Sequence, residues 1–134
     1  MKQYFWKNIQ DIQPSQLYIN ARKLGLVTDW FQPEFADSYD AIPIKELNGR
    51  IIFTDGHTRA YVALKKGLKT IKVYWEEDEL DWRLYQGCVD WCLEAGISSV
   101  KDFDNRVIDP IDYEKLWVKR CENYLEQSEQ NEVF

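Results

Sequence analysis

Residues 42–75, IPIKELNGRIIFTDGHTRAYVALKKGLKTIKVYW, constrain the fold more than any other part of the chain, because three local patterns follow one another there without a gap. Ile42–Leu47 and Arg50–Phe53 are short β-type runs separated by Asn48-Gly49, the dipeptide that suits a type I′ turn because both central residues need positive φ. A hairpin is therefore expected, with Pro43 near its start, where a missing N–H is tolerated. After Phe53 the period changes from two to 3.6: Ala60, Ala63, Leu64 and Gly67 recur at helical spacing, Thr54 or Asp55 offers an N-cap, and Gly67 offers a stop. Thr70–Trp75 alternates again as a strand. Hairpin, helix and strand in that order predict an α+β fold, a small mixed sheet with packed helices.

On either side the signals are weaker. Residues 16–19 read as a short strand, and Asn20 caps a helix carrying Leu24, Val27 and Phe31, which Pro33 ends. Residues 34–41 read as a loop rich in carboxylates. From Glu76 the acids occupy the first turn of a helix that runs through Leu84, Cys88, Trp91 and Cys92 to Gly96, where the helix dipole favours them. Residues 97–109 read as a connection. Asp109-Pro110 opens a last helix with Leu116, Cys121, Tyr124 and Leu125 on its apolar surface, and the polar tail 127–134 is expected to fray. The domain organisation that follows is a core over 1–75 and a helical extension over 76–134 packed on the same domain.

Charge divides at the same point. Residues 1–75 hold eleven Lys/Arg against seven Asp/Glu, and residues 76–134 hold six against sixteen, within a total of −6. Affinity for a long nucleic acid depends on neutralising many phosphates, so this balance speaks against DNA as the main partner. A small anion held by the first half is compatible with it. No run approaches a membrane span, the N-terminus lacks the apolar stretch of a signal peptide, and Cys88, Cys92 and Cys121 read as reduced thiols without a metal-ligand set. These features together read as a cytoplasmic protein with no membrane association.

The chemistry is concentrated in Thr54-Asp55-Gly56-His57-Thr58-Arg59. A strand that passes through a glycine turn into a helix offers backbone N–H groups at the positive end of the dipole, which suits an anion. Gly56 allows close approach, Arg59 brings a fork that fits phosphate, and His57 and Thr58 add donors at the same mouth. Lys65, Lys66, Lys69 and Lys72 are expected to raise the local potential. Asp55 would cap the helix, pair with Arg59, or hold a divalent ion or a substrate hydroxyl. A purely structural turn, with Asp55 capping and His57 an ordinary imidazole, fits the spacing equally well.

The Pro-Ile strand, the turn ending in Gly-x-x-Arg, the Ala-rich helix closed by Gly and the apolar strand after it resemble the ParB/sulfiredoxin-like superfamily. Its shared core runs strand, strand, nucleotide-binding turn, helix, strand. The resemblance implies that Gly56, His57, Thr58 and Arg59 contact nucleotide phosphates, with ATP, ADP or CTP as ligand and Mg²⁺ as its companion. Sulfiredoxins carry a cysteine where this chain has His57, which speaks against that chemistry. Partition proteins carry Gly-Glu-Arg-Arg and a following helix-turn-helix domain, whereas this chain carries Gly-His-Thr-Arg and an acidic helical extension. The turn is most similar to the Asp-Gly-His-His-Arg of free serine kinase-like members, with Thr58 the mismatch.

By that comparison the candidate catalytic residues are Asp55 and His57, and the general base a kinase requires falls to Asp37, Asp40 or Glu46 by nearness in sequence. The expected function is binding of a nucleotide or phosphorylated small molecule, with phosphotransfer or nucleotide hydrolysis as its catalytic form. The alternative is a non-catalytic nucleotide sensor or a protein-interaction module. Its partner would dock on the aromatic extension, whose Trp82, Tyr85, Trp91, Tyr113, Trp117 and Tyr124 are otherwise core. A DNA-binding or nuclease-type relative of ParB ranks third.

Overall fold

Asn48 and Gly49 adopt φ of 50° and 81°, as a type I′ turn demands, and the hairpin they close forms one side of the sheet. In the computed structural model, which describes residues 3–133 with side chains through residue 127, β3 (Ile42–Leu47) pairs antiparallel with β4 (Arg50–Phe53) from Ile44↔Phe53 to Leu47↔Arg50. The ladder begins after Pro43, so the N–H that proline lacks is not needed by β4. On its other side β3 pairs parallel with β5 (Thr70–Trp75), and β5 pairs antiparallel with β1 (Phe5–Asn8). The sheet order is β1-β5-β3-β4.

The chain leaves β1 at one edge of this sheet and reaches the other within a few residues. A 3₁₀ turn, Ile9–Asp11, leads to Gln13, which bridges to Ile52 of β4: Gln13 N–H donates to the Ile51 carbonyl (2.8 Å), and Phe53 N–H donates to the Gln13 carbonyl (3.0 Å). This crossing brings residues 12–15 against the end of β4, which later decides where His57 points. The expected strand over 16–19 is displaced. Only β2 (Ile19–Asn20) forms, parallel to β6 (Val107–Ile108), within what the sequence showed only as a connection.

Helix α1 (Ala21–Trp30) is capped by Asn20, whose side chain accepts from the N–H groups of Arg22 and Lys23. Helix α2 (His57–Lys65) lies on the sheet with Ala60 and Ala63 fully buried, small residues that let the backbone approach closely. It ends in a Schellman motif: Gly67 has φ 92°, Leu68 N–H reaches the Ala63 carbonyl at 3.1 Å and Gly67 N–H the Leu64 carbonyl at 3.0 Å.

Helix α3 (Trp82–Glu94) starts later than the acidic run suggests. Asp81 caps it through Leu84 N–H, while Glu76 N–H still donates to the Ile44 carbonyl and holds the chain extended past β5. The acids at 76–79 therefore precede the helix instead of forming its first turn. After α3, Ser99 and Asp102 make a capping box on a 3₁₀ segment, Val100–Asn105, whose Val100 and Phe103 are fully buried.

The last helix begins at Asp109-Pro110 as expected and runs as α4 (Pro110–Tyr113), a π turn over Glu114–Val118 and α5 (Lys119–Val133). The wider turn rotates the apolar stripe, so that Trp117 is the buried residue and Leu116 is exposed. The helix continues through Val133, over the tail expected to fray, with side chains described through residue 127.

The second half shares the first half's core: Gln13 Nε2 donates to the Ile97 carbonyl (2.8 Å), Arg106 Nε to the Leu17 carbonyl (2.7 Å) and Tyr85 Oη to the Thr54 carbonyl (3.0 Å). Cys88, Cys92, Val100 and Phe103 belong to the same buried cluster as Ile44, Phe53 and Val73. Among the described residues no helix is long and apolar enough to cross a membrane.

Candidate functional site

Gly56 is the pivot of the turn. Its φ of 76° belongs to the left-handed region, and a Cβ there would lie 2.8 Å from Ile42 Cγ2 and 3.1 Å from Arg59 Nη2. Conformation and space both require glycine. Gly56, not Thr54 or Asp55, is the N-cap of α2, and no side chain caps that helix. Thr54 is instead tied to β3, its N–H 3.2 Å from the Pro43 carbonyl, and Asp55 Oδ1 accepts from Gly56 N–H at 2.8 Å.

The turn's side chains divide by direction. His57 and Thr58 face inward, 4% and 2% exposed, which corrects the expectation that they present donors at the mouth. His57 Nε2 accepts the Ser15 N–H at 2.8 Å, Ser15 Oγ donates to the Phe53 carbonyl at 2.6 Å, and the imidazole lies 5.5 Å from the Phe53 ring. The acceptor role of Nε2 puts the proton on Nδ1. Burial pushes the ring's pKa down to about 3, against the opposing pull of Asp55, so it is neutral at neutral pH. The first helical position aims its side chain back under the segment that Gln13 pins to β4, and there the imidazole serves as an interior acceptor.

Asp55 is exposed and Arg59 half-exposed. Arg59 Nη1 donates to the Asp40 carbonyl (3.1 Å), and its guanidinium shares a depression of about 370 Å³ with Trp30, Asp37, Ser38, Tyr39 and Asp40. Trp30 is 54% exposed there. A second depression, about 380 Å³, adjoins it through Asp40 and is lined by Tyr4, Ala41, Lys72 and Tyr74. Lys72 is buried: Nζ donates to the Ala36 carbonyl at 2.6 Å, 4.7 Å from the Tyr39 ring centre and 5.1 Å from that of Tyr4. It fastens the 34–41 loop to the sheet.

The other lysines do not act at the turn. Lys65 pairs with Asp104 at 2.9 Å, and Lys66 Nζ donates to the Phe31 carbonyl at 2.6 Å; both sit at the far end of α2, roughly 13 Å from its start. Glu46 is likewise remote, near the hairpin tip and about 13 Å along β3 from Ile42. Of the three candidate bases, Asp37 and Asp40 border the depression. The extension reaches the turn through Tyr85, whose Oη donates to the Thr54 carbonyl, and the charge of Asp55 acts on two of its phenols. Burial raises the pKa of Tyr85, with Asp55 adding to it, and burial pushes that of Tyr113 up to about 12, with Cys121 and then Asp55 adding to it.

Trp30 and Ser38 are site residues that sequence reasoning did not place, and Lys72, expected only to raise the local potential, instead anchors the 34–41 loop. Trp30 had a signal: it lies off the Leu24, Val27, Phe31 stripe of its helix, so a large aromatic was due to be exposed. Among the described residues no group of three or more His, Cys, Asp or Glu side chains could hold a metal ion. Mg²⁺ more often rides on substrate phosphates with one or two carboxylates, a demand that exposed Asp55 fits.

The site thus belongs to an α+β domain built on a four-stranded mixed sheet. No family model matches the chain, and no curated protein matches it. Among solved structures the fold is similar to that of protein Atu1540 from Agrobacterium tumefaciens, with a TM-score of 0.50 at 14% identity. The likeness covers 81% of this chain and 63% of that one, so this chain spans less than two thirds of its neighbour's length. At such identity the likeness is one of fold.

Proposed function

We propose that the chain is a ParB/sulfiredoxin-like domain that binds a nucleotide, or another phosphorylated small molecule, beside the turn at residues 54–59. The observation that carries this reading is that Arg59, in the first turn of α2, whose N-terminus no side chain caps, lines one depression together with the exposed Trp30. Arg59 offers charge-assisted hydrogen bonds to phosphate oxygens, the helix end adds a favourable field, and Trp30 offers a face on which a base stacks. Ser38 and the carboxylates of Asp37 and Asp40 suit ribose hydroxyls. Mg²⁺ would neutralise phosphoryl oxygens, with Asp55 as its protein carboxylate.

In the catalytic form of the proposal, a phosphotransferase or nucleotide hydrolase, Asp55 contacts the acceptor hydroxyl or the attacking water and Asp37 or Asp40 takes its proton. His57 keeps the turn in shape. A second reading, a sensor that binds without turnover, is favoured by the burial of His57, because one of the two expected acid–base groups is then withdrawn from the ligand.

The test is a thermal-shift panel of ATP, ADP, CTP, GTP and pyrophosphate, with and without Mg²⁺. At a hundredfold excess over Kd a ligand specific to the folded state adds about 2.7 kcal/mol. We expect a shift with at least one nucleotide, its loss in Arg59→Ala, and in Trp30→Ala a weaker nucleotide shift with the pyrophosphate shift intact. No shift with any of these ligands would overturn the reading. Turnover that disappears in Asp55→Ala while binding persists identifies the enzyme, and binding without turnover in the wild type identifies the sensor.

A further inference from the structure

Away from the candidate site, α3 and α5 meet along a seam that holds two of the three cysteines. Tyr124 fixes the approach: its Oη donates to the Arg83 carbonyl (3.3 Å), its ring lies over Gly87, where a Cβ would be 2.9 Å from Cζ, and it meets Trp91 edge-on with centroids 5.4 Å apart. Trp91 in turn meets Trp117 at 6.0 Å. Between these contacts, Tyr124 on Gly87 at one end and Trp117 on Trp91 at the other, Cys88 of α3 and Cys121 of α5 fall on the facing sides of the two helices. Both are free thiols, Cys88 buried and Cys121 half-exposed. Cys92, one turn further along α3, is engaged elsewhere, its Sγ donating to the Gln16 carbonyl at 3.3 Å.

We propose that Cys88 and Cys121 form a thiol modification site that a hydroperoxide oxidises to a reversible intramolecular disulfide. The half-exposed Cys121 is the sulfur that meets the oxidant, and the charge of neighbouring Arg120 favours its thiolate. The Cys121 thiolate attacks the peroxide: an S–O bond forms, the O–O bond breaks, and the leaving alkoxide or hydroxide takes a proton and departs as alcohol or water. Cys88 sulfur then attacks the sulfenic acid, an S–S bond forms, the S–O bond breaks, and hydroxide leaves as water with the Cys88 proton. Two thiols lose two electrons and the peroxide gains them. Cys88, buried and so shielded from the oxidant, resolves the intermediate without being oxidised first. The bridge would tie α3, one turn from Tyr85, to the C-terminal helix that carries Tyr113, and it forms whether or not the turn binds nucleotide.

The test uses the full wild-type chain in its native state, treated with one equivalent of hydrogen peroxide, alkylated and mapped by mass spectrometry without reduction. The expected result is an intact monomer lighter by two hydrogens, a tryptic bridge joining residues 84–101 to 121–134, and its complete loss with dithiothreitol. Cys92→Ser retains the bridge; Cys88→Ser loses it and accumulates a dimedone adduct at Cys121. The wild type and Cys92→Ser decide the question even if Cys88→Ser fails to fold. Any of three outcomes would overturn the proposal: a bridge lost in Cys92→Ser, disulfide-linked dimers in place of the internal bridge, or overoxidation of Cys121 with no bridge.

Discussion

Two residues of the turn can be tested singly. Gly56→Ala forces a left-handed conformation on a residue with a Cβ and drives that atom into Ile42, at a cost of about 2 kcal/mol or more, read as a lower urea midpoint. His57 makes a pH prediction with a definite sign. Its folded pKa of about 3 lies below the ordinary 6.5, so protonation favours the unfolded chain. The stabilising contribution is complete above pH 6.5 and is lost as pH falls toward 3. Between pH 7 and pH 5.5, before most carboxylates titrate, the loss is roughly 1 kcal/mol, and His57→Gln should abolish that part of the dependence. The sequence located this turn but misjudged its side chains. Periodicity marks where a helix starts, whereas the direction of the His57 ring depends on Ser15, forty-two positions away, being carried under β4.

At the level of elements the legible parts were those with local causes. The hairpin, α2, β5 and the starts of α1 and the last helix follow from a turn dipeptide, a glycine stop, alternation and caps, all within a few residues. What was missed has distant partners: the two-residue β2–β6 pair joins Ile19 to Val107, and the extended stretch at Glu76 is held by the Ile44 carbonyl. The π turn that exposes Leu116 leaves no mark in composition. Helix α1 tests the local causes themselves. Asn20→Ala removes the cap and should cost about 1 kcal/mol. Gly25 lies inside the helix with nothing within 4 Å of an added Cβ, so Gly25→Ala should stabilise the protein by roughly 0.5–1 kcal/mol. Paired denaturation curves of the two variants check both signs.

Across the whole molecule the division at residue 75 describes charge better than structure. The acidic second half closes the first half's core through Ile97, Val100, Phe103 and Arg106; its Tyr85 bonds the Thr54 carbonyl at the turn, and the 34–41 loop meets Arg59 through the Asp40 carbonyl. Another depression, on the second half, is lined by residues that include Lys115 and Arg120, and it serves as the control surface for anions. Amide chemical-shift mapping of the ¹⁵N-labelled chain with pyrophosphate and with the best-shifting nucleotide separates the two surfaces in one experiment. Binding at the turn predicts the largest changes at Gly56, His57, Thr58 and Arg59 with both ligands, extended to Trp30 and Ser38 by the nucleotide alone. Changes centred on Lys115 and Arg120, with the turn unmoved, would contradict it.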